Sequence, residues 1–344
     1  MIHVKKEGIV LLKTDKGFEN EGVLNPAIIE VDGIIHMFYR AVSKGNYSSI
    51  GYGRFDSPTN CIYRSEIPLI FPQFEYEKHG IEDPRIVKID SLFYLTYTAY
   101  DGINALGALA VSLDLSNFEK KGIIAPQISY KEFSHLAQSK GILNEKYLRF
   151  NVHEHISEIK GKQVLVWDKN MIFFPRKING KFNLLHRIRP DIQLVEFDSI
   201  SDLTQEFWQN YFLLLDDHIV LSPKHDHEVS YIGGGCPPLE TSEGWLFIYH
   251  GVHDTVNGYV YSACAALLDL DNPRKEIARL PYPLFEPDMS WELKGEVNNV
   301  CFPTGMYHSD TILYIYYGAA DEQIACASLV LSELVAELLK YKIA

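Results

Sequence analysis

The chain has 344 residues, 47% of them hydrophobic and 22% charged, a composition able to bury a large core. Its 32 Lys+Arg against 45 Asp+Glu give a formal net charge of −13, which argues against a general nucleic-acid or anionic-membrane binder, since such partners require neutralised phosphates. Five cysteines (Cys61, Cys236, Cys264, Cys301, Cys326) show no metal or disulfide spacing, residues 9–12 are too short for a signal h-region, and no run approaches the roughly 20 apolar residues of a membrane span, so a cytoplasmic protein without a metal is expected.

Tyr (21) and Phe (18) cluster in short β-type runs, each after a turn signal. In chain order the turn pairs are Asp32-Gly33, Asp90-Ser91, Asn179-Gly180, Glu243-Gly244 and Asp310-Thr311. Each run is preceded by a proline-marked strand start, at Pro26, Pro84, Pro175, Pro238 and Pro303, and followed by a strand that ends in a polar turn. The turns at 33, 91, 180, 244 and 311 are 58, 89, 64 and 67 residues apart. That interval suits one four-stranded sheet with its connections, and its repetition marks a propeller. Helical periodicity is confined to 332–340 and 130–138, whereas a doubly wound sheet would need a helix between each pair of strands. The expected fold is all-β: a five-bladed β-propeller filling residues 1–344 as one domain, with a short C-terminal helix.

In such a fold the innermost strands converge on an axis, so equivalent strand ends face one another. The ends after the turns carry Arg40, Asp101, Arg187, His250 and Asp321; the starts before them carry Asn25, Asp83-Pro84-Arg85, Lys169-Asn170 and Phe302. Polar residues at strand edges are ordinary, but their recurrence in every repeat favours a polar ligand-binding channel. Carboxylates amid Arg, His and aromatic rings suit carbohydrate. Asp83 is the best candidate for an acid protonating a glycosidic oxygen. Glu82 precedes it, and strand alternation would let only one of the two face the channel. Pro84 is expected to hold Asp83 extended. The histidines of 225–228 and 153–155 read as solvated loops, and Gly233-Gly234-Gly235 as a place of close backbone approach.

Five stretches resemble glycoside hydrolase family 130: Gly80-Ile81-Glu82-Asp83-Pro84-Arg85-Ile86, residues 174–181 beginning Phe174-Pro175-Arg176, residues 243–252 containing Tyr249-His250-Gly251-Val252, residues 265–273, and Tyr317-Gly318-Ala319-Ala320-Asp321. The resemblance runs from about Asn25 to the end. It implies a five-bladed propeller that cleaves β-mannosides with inversion, most members being phosphorylases that form α-mannose 1-phosphate and some being β-1,2-mannosidases. It implies Asp83 as general acid, acting through a sugar hydroxyl, and a mannose site of Asn25, Arg40, His186 or its neighbours, Tyr259 or Tyr261, Phe302 and Asp321. Glu82, Arg85 and Asp101 are added to that site from their positions.

The phosphate site implied by the same resemblance maps onto Lys169, Asn170, Arg187, Tyr231 and His250. Two of its cations differ: Lys169 stands where an Arg is usual, and Tyr231 where a Lys is usual. Losing a buried charge-assisted bond weakens anion affinity about tenfold or more. Glu228, three residues before Tyr231, is the candidate base for activating water, with Glu296 a weaker one. The expectation therefore tilts towards hydrolysis with water as nucleophile. The alternatives are phosphorolysis, with inorganic phosphate as co-substrate and no cofactor, and a non-catalytic sugar-binding propeller. In each case the partner is a small carbohydrate, with no nucleic acid and no membrane.

Overall fold

The computed structural model describes residues 2–139, 142–149 and 163–343. The His153-Glu154-His155 stretch lies outside the described residues, as does much of the 129–162 segment that makes the second repeat interval the longest.

Strand β1 (Lys5–Leu11) opens the chain. The strands β2 (Gly22–Val31), β3 (Ile34–Ser43), β4 (Tyr47–Ser57) and β5 (Asn60–Arg64) then form an antiparallel meander. A second meander follows, of β6 (Gly80–Ile89), β7 (Leu92–Tyr100), β8 (Ala105–Ser112) and β9 (Glu119–Ile123). One parallel bridge, Ser48 to Gly80, fuses the two into a single hydrogen-bonded sheet. The third unit is β10 (Lys169–Phe173), β11 (Phe182–Arg187), β12 (Ile192–Phe197) and β13 (Ile219–Leu221). The fourth contains β14 (Tyr231–Gly234), β15 (Leu239–Thr241), β16 (Gly244–Thr255), β17 (Gly258–Leu268) and β18 (Glu276–Arg279), with β14 and β15 both paired to β16. In the fifth, β19 (Cys301–Ser309), β20 (Ile312–Ala319) and β21 (Gln323–Val330) are completed by β1, which runs antiparallel to β21. Successive units touch: β2 meets β6, β6 meets β10, β10 meets β14, and β19 meets β16 of the fourth unit and β2 of the first. The contacts thus close into a ring, and the all-β reading holds.

The turn pairs explain much of this order. Asp32-Gly33 and Asn179-Gly180 both place two successive residues at positive φ (53° and 78°; 54° and 80°), the backbone that matches the twist of a tight hairpin. Asp90 and Asp310 take the same left-handed geometry at the head of their hairpins, with φ of 55° and 53°. Apolar side chains between neighbouring units form the core; Leu246 and Ile248 of the fourth, for example, cluster with Ile315 and Tyr317 of the fifth.

Helix α1 (Tyr130–Ala137) occupies the expected place. Helix α2 (Gln205–Phe212) was not expected: its aromatic residues suggest strand, yet Trp208, Tyr211 and Phe212 fall on one helical face and are buried against the third unit. Helix α3 (Ser290–Leu293) is a single turn, and α4 (Leu331–Leu339) is the C-terminal helix. Among the described residues no helix is long and apolar enough to cross a membrane.

The join between β1 and the ring is secured by charge. Lys6 Nζ donates to Glu292 Oε1 at 2.6 Å, and the same oxygen accepts from the Tyr317 hydroxyl. The other oxygen of this fully buried carboxylate accepts from the backbone of Asp288 and Met289 at 3.0 Å. Removing one partner of a buried pair strands the other. Glu292→Ala should therefore lower unfolding free energy by about 3 kcal/mol in urea titrations, while Lys5→Ala, on the exposed Lys5–Glu7 pair, should leave the midpoint essentially unchanged.

Candidate active site

Three first strands share a device that aims polar side chains at the ring's centre. Asn25 in β2, Asp83 in β6 and Asn170 in β10 have φ of 50°, 51° and 55°, and the strand register breaks at each one, between Leu24 and Ala27, Glu82 and Arg85, and Lys169 and Ile172. Asn and Asp tolerate the left-handed region better than other side chains carrying a Cβ. Pro26 and Pro84 lack the N–H that would continue the ladder. The result is a bulge that re-aims a side chain. Asp83 is therefore not extended, contrary to the expectation drawn from Pro84, and the alternation argument for Glu82 and Asp83 fails. Both carboxylates reach one guanidinium: Arg40 Nη2 donates to Glu82 Oε1 at 2.9 Å, and Arg40 Nη1 lies 3.8 Å from Asp83 Oδ1.

A cavity of about 130 Å³ opens at these bulges, lined by the carboxylates Asp83 and Asp321, the cations Arg40, Lys169, Arg187 and Arg189, the amides Asn25 and Asn170, and Tyr231, Tyr261, Phe302 and Val300. Asn25 Nδ2 donates to Asp83 Oδ1 at 2.7 Å. Gly318 makes room for this amide, because a Cβ there would sit 2.0 Å from Asn25 Oδ1. Burial alone would raise the Asp83 carboxyl, but Lys169, Arg40, Arg85 and the Asn25 amide outweigh it and hold it below the usual range. Asp321 is pushed the other way, up to about 6, by burial and the nearby Asp83 against the opposing pull of Arg40. Two carboxyl groups in one cavity are thus shifted in opposite directions.

Much of the lining is cationic. Lys169 Nζ donates to Glu82 Oε2 at 3.0 Å. Arg187 is 5% exposed and Asn170 is 3% exposed, and Arg187 Nε and Asn170 Nδ2 have no acceptor among the described residues. Burial, together with repulsion from Arg189, lowers the Arg187 guanidinium to about 10. Unpaired buried donors are costly, and here they belong to side chains that line a polar cavity. Asp83 and Asp321 are the only carboxylates among its described lining residues.

Several sequence-selected residues lie outside this lining. Glu228, the expected base, is fully buried with both oxygens engaged: Oε1 accepts from the Tyr249 hydroxyl, and Oε2 from the backbone N–H of Lys224 and His225 at 2.8 and 3.1 Å, with Arg279 Nη1 at 3.4 Å. It braces the loop before β14 and faces no part of the cavity. His186 is also fully buried, bridging Asp168 Oδ2 and the Tyr211 hydroxyl at 2.8 Å each. Asp168 Oδ1 in turn accepts from the Arg187 N–H, so His186 supports the cationic wall and is not part of it. Asp101 caps its own turn through the N–H groups of Ile103 and Asn104. Tyr259 is 44% exposed and stands outside, while Tyr261 lines the cavity and shares a 2.6 Å hydroxyl contact with Tyr231. Arg85 donates to the carbonyls of Gly235, Asp83 and Pro84, fixing the bulge from behind. His250, also fully buried, packs 4.3 Å from Phe302 and against Gly233, where a Cβ would meet both its ring and Arg187. Burial and then Arg187 hold it well below its ordinary value, hence neutral. Glu296 lines a second chamber of about 550 Å³ that shares Arg40 and Asp321 with the first.

His227, Glu228 and Cys264 bring ligand-type atoms within 4.8 Å of one another. Glu228 is already committed to Tyr249, two backbone amides and Arg279, and burial raises the Cys264 thiol well above its ordinary range. The trio fits a packed polar cluster and not a metal centre.

The profile of glycoside hydrolase 130, described as β-1,4-mannooligosaccharide phosphorylase, matches residues 12–340. The chain belongs to that family. This family member is 31% identical to the 1,2-β-oligomannan phosphorylase of Thermoanaerobacter sp. (strain X514), over 97% of this chain and 99% of the relative. It is 33% identical to the β-1,2-mannobiose phosphorylase of the same strain, over 90% of each. It shares the fold of the β-1,2-mannobiose phosphorylase from Listeria innocua, with a TM-score of 0.73 and 22% identity over 98% of this chain and 99% of that one. It is accordingly a carbohydrate-active enzyme of the glycoside phosphorylase or glycosidase kind.

Arg189 was missed by sequence reasoning. The available signal was its place two residues after Arg187 at the same strand end. The raised Asp321 carboxyl has a consequence for stability. A carboxyl whose folded value lies above its ordinary one favours the folded state fully at low pH, and that contribution is lost as pH rises through the folded value. The Asp321 contribution should therefore be lost between about pH 4 and pH 6. Asp321→Asn should match the parent in thermal midpoint at pH 4 and exceed it at pH 7.5.

Proposed function

We propose that this enzyme cleaves β-mannosides by phosphorolysis with inversion, releasing α-mannose 1-phosphate, and that its ring of five sheet units is a five-bladed propeller forming one domain. The observation that carries this reading is the cationic lining of the cavity that holds Asp83. An inverting hydrolase needs a second carboxylate as base opposite its acid; the only other carboxylate among the described lining residues, Asp321, interacts with Asp83 and Arg40, and the rest of the polar lining is Lys169, Asn25, Asn170, Arg187, Arg189 and two tyrosines. Such a wall repels no dianion and activates no water. The change at Tyr231, which had tilted the expectation towards hydrolysis, therefore does not decide the nucleophile, and Glu228 has no part in the reaction.

In this reading the mannosyl unit sits against Asn25, Arg40, Phe302 and Asp321, with the phosphate on the cations. A phosphate oxygen forms the new bond to C1 as the glycosidic C1–O bond breaks, and the departing oxygen takes the proton carried by Asp83. Phosphate also prepares that proton. Its negative charge, placed among the cations that hold Asp83 below the usual range, raises the carboxyl towards the protonated form. The wider chamber past Arg40 and Asp321 receives the leaving saccharide. The curated relatives matched over most of the chain are named for β-1,2-linked substrates, which supports that linkage.

Incubation with β-1,2-mannobiose and phosphate should give mannose and α-mannose 1-phosphate in equal amounts, and omission of phosphate should nearly abolish turnover. Asp83→Asn should lower the rate by about 10²- to 10⁴-fold. Free mannose released at a rate indifferent to phosphate would establish hydrolysis instead. Inertness towards every mannobiose would leave a sugar-binding protein.

A further inference from the structure

Arg189 follows β11 and stands in the cavity wall beside Arg187. Its guanidinium carbon lies 4.0 Å from the centre of the Tyr231 ring, while that of Arg187 lies 5.4 Å from the same centre. One aromatic ring thus serves two guanidinium groups. The segment between them is held firmly: the buried Gln193 side chain accepts from the Ile188 N–H and donates to the Ile188 carbonyl, both at 2.9 Å, and also donates to the Tyr147 hydroxyl. Tyr231 is equally fixed, 1% exposed and tied to Tyr261. Like charges crowded in a buried wall repel each other at close range. A fold that clamps both in place, and leaves the Arg187 Nε without an acceptor among the described residues, suits an anion shared by the two.

We propose that Arg189, stacked on Tyr231, is the second guanidinium of the phosphate subsite, and that the stacked pair sets the affinity for the attacking phosphate. The inference rests on the phosphorolytic reading above and deepens it. A guanidinium over an aromatic face directs its N–H groups past the ring edge, the geometry of in-plane bonds to phosphate oxygens, while the ring restrains its orientation. Preorganisation of this kind lowers the cost of ordering the side chain on binding. Tyr231 then contributes through its ring, with its hydroxyl engaged by Tyr261.

The test is steady-state phosphorolysis of β-1,2-mannobiose, varying phosphate and disaccharide separately, for the parent, Arg189→Ala, Arg189→Lys, Tyr231→Ala, Tyr231→Phe and the double Ala variant. The parent must first use phosphate; a parent indifferent to it overturns the phosphorolytic reading and this inference together. Given a phosphate-dependent parent, Arg189→Ala should raise the KM for phosphate about 10- to 100-fold and leave the KM for disaccharide within about twofold. Arg189→Lys should fall between. Tyr231→Ala should reproduce the phosphate effect, Tyr231→Phe should not, and the double variant should be no worse than Arg189→Ala alone, as coupled residues require. Should the two KM values rise together, or the phosphate KM stay at the parent value in Arg189→Ala, phosphorolysis would stand and the assignment of Arg189 would fall. Thermal midpoints of Arg189→Lys and Tyr231→Phe close to the parent keep misfolding from imitating either result.

Discussion

Glu82 holds three sheet units to one centre. Its two oxygens accept from Arg40 of the first unit and Lys169 of the third, at 2.9 and 3.0 Å, while the residue itself belongs to the second. Partly buried cations favour such a partner, because an unpaired charge withdrawn from water is disfavoured. The bridge also sets the electrostatics of the cavity. With Glu82 neutralising part of Arg40 and Lys169, enough positive potential remains to keep Asp83 ionised without pulling Asp321 down with it. The two carboxyl groups are separated in titration by where each stands relative to these cations.

That arrangement depends on a backbone feature as much as on charge. A regular strand would send Glu82 and Asp83 to opposite faces of the sheet. The left-handed bulge at Asp83 brings both to Arg40, and Arg85 locks the bulge through three carbonyls. The same break at Asn25 and Asn170 delivers two amides to the same cavity. Polar groups thus reach the centre of the ring from strands whose remaining side chains are committed to packing between sheets.

Behind the cavity lies a layer of buried polar residues that look catalytic in sequence and act structurally. His186 and Asp168 position the Arg187 backbone, and Tyr211 of the short helix α2 completes their network. Glu228 braces the loop before the fourth unit against Arg279 and Tyr249. The family resemblance points to His186 and residue type with chain position to Glu228, and neither signal distinguishes a side chain that faces the cavity from one that faces away. His250 shows the same limit: neutral, wholly buried and packed on Phe302, it shapes the wall from behind.

Much of the architecture was legible in the sequence because local rules produce it. Asp-Gly and Asn-Gly pairs specify tight hairpins, β-branched and aromatic runs specify strands, and the spacing of the turns specifies repeated sheet units. The motif around Asp83 and the positions of Asn25, Arg40, Asn170, Arg187 and Asp321 also emerged from the chain alone, since each occupies an equivalent end of its repeat. Helix α2 did not, because two turns of helix rich in aromatics have the composition of a strand. Only the tertiary structure decided which groups face the cavity, for that depends on the bulges and on contacts between residues far apart in sequence. Arg189 meets Tyr231 across two sheet units, and Glu228 turns towards Arg279 and away from the centre. Chain position assigns a residue to its strand, but the packing of five units determines what each side chain touches.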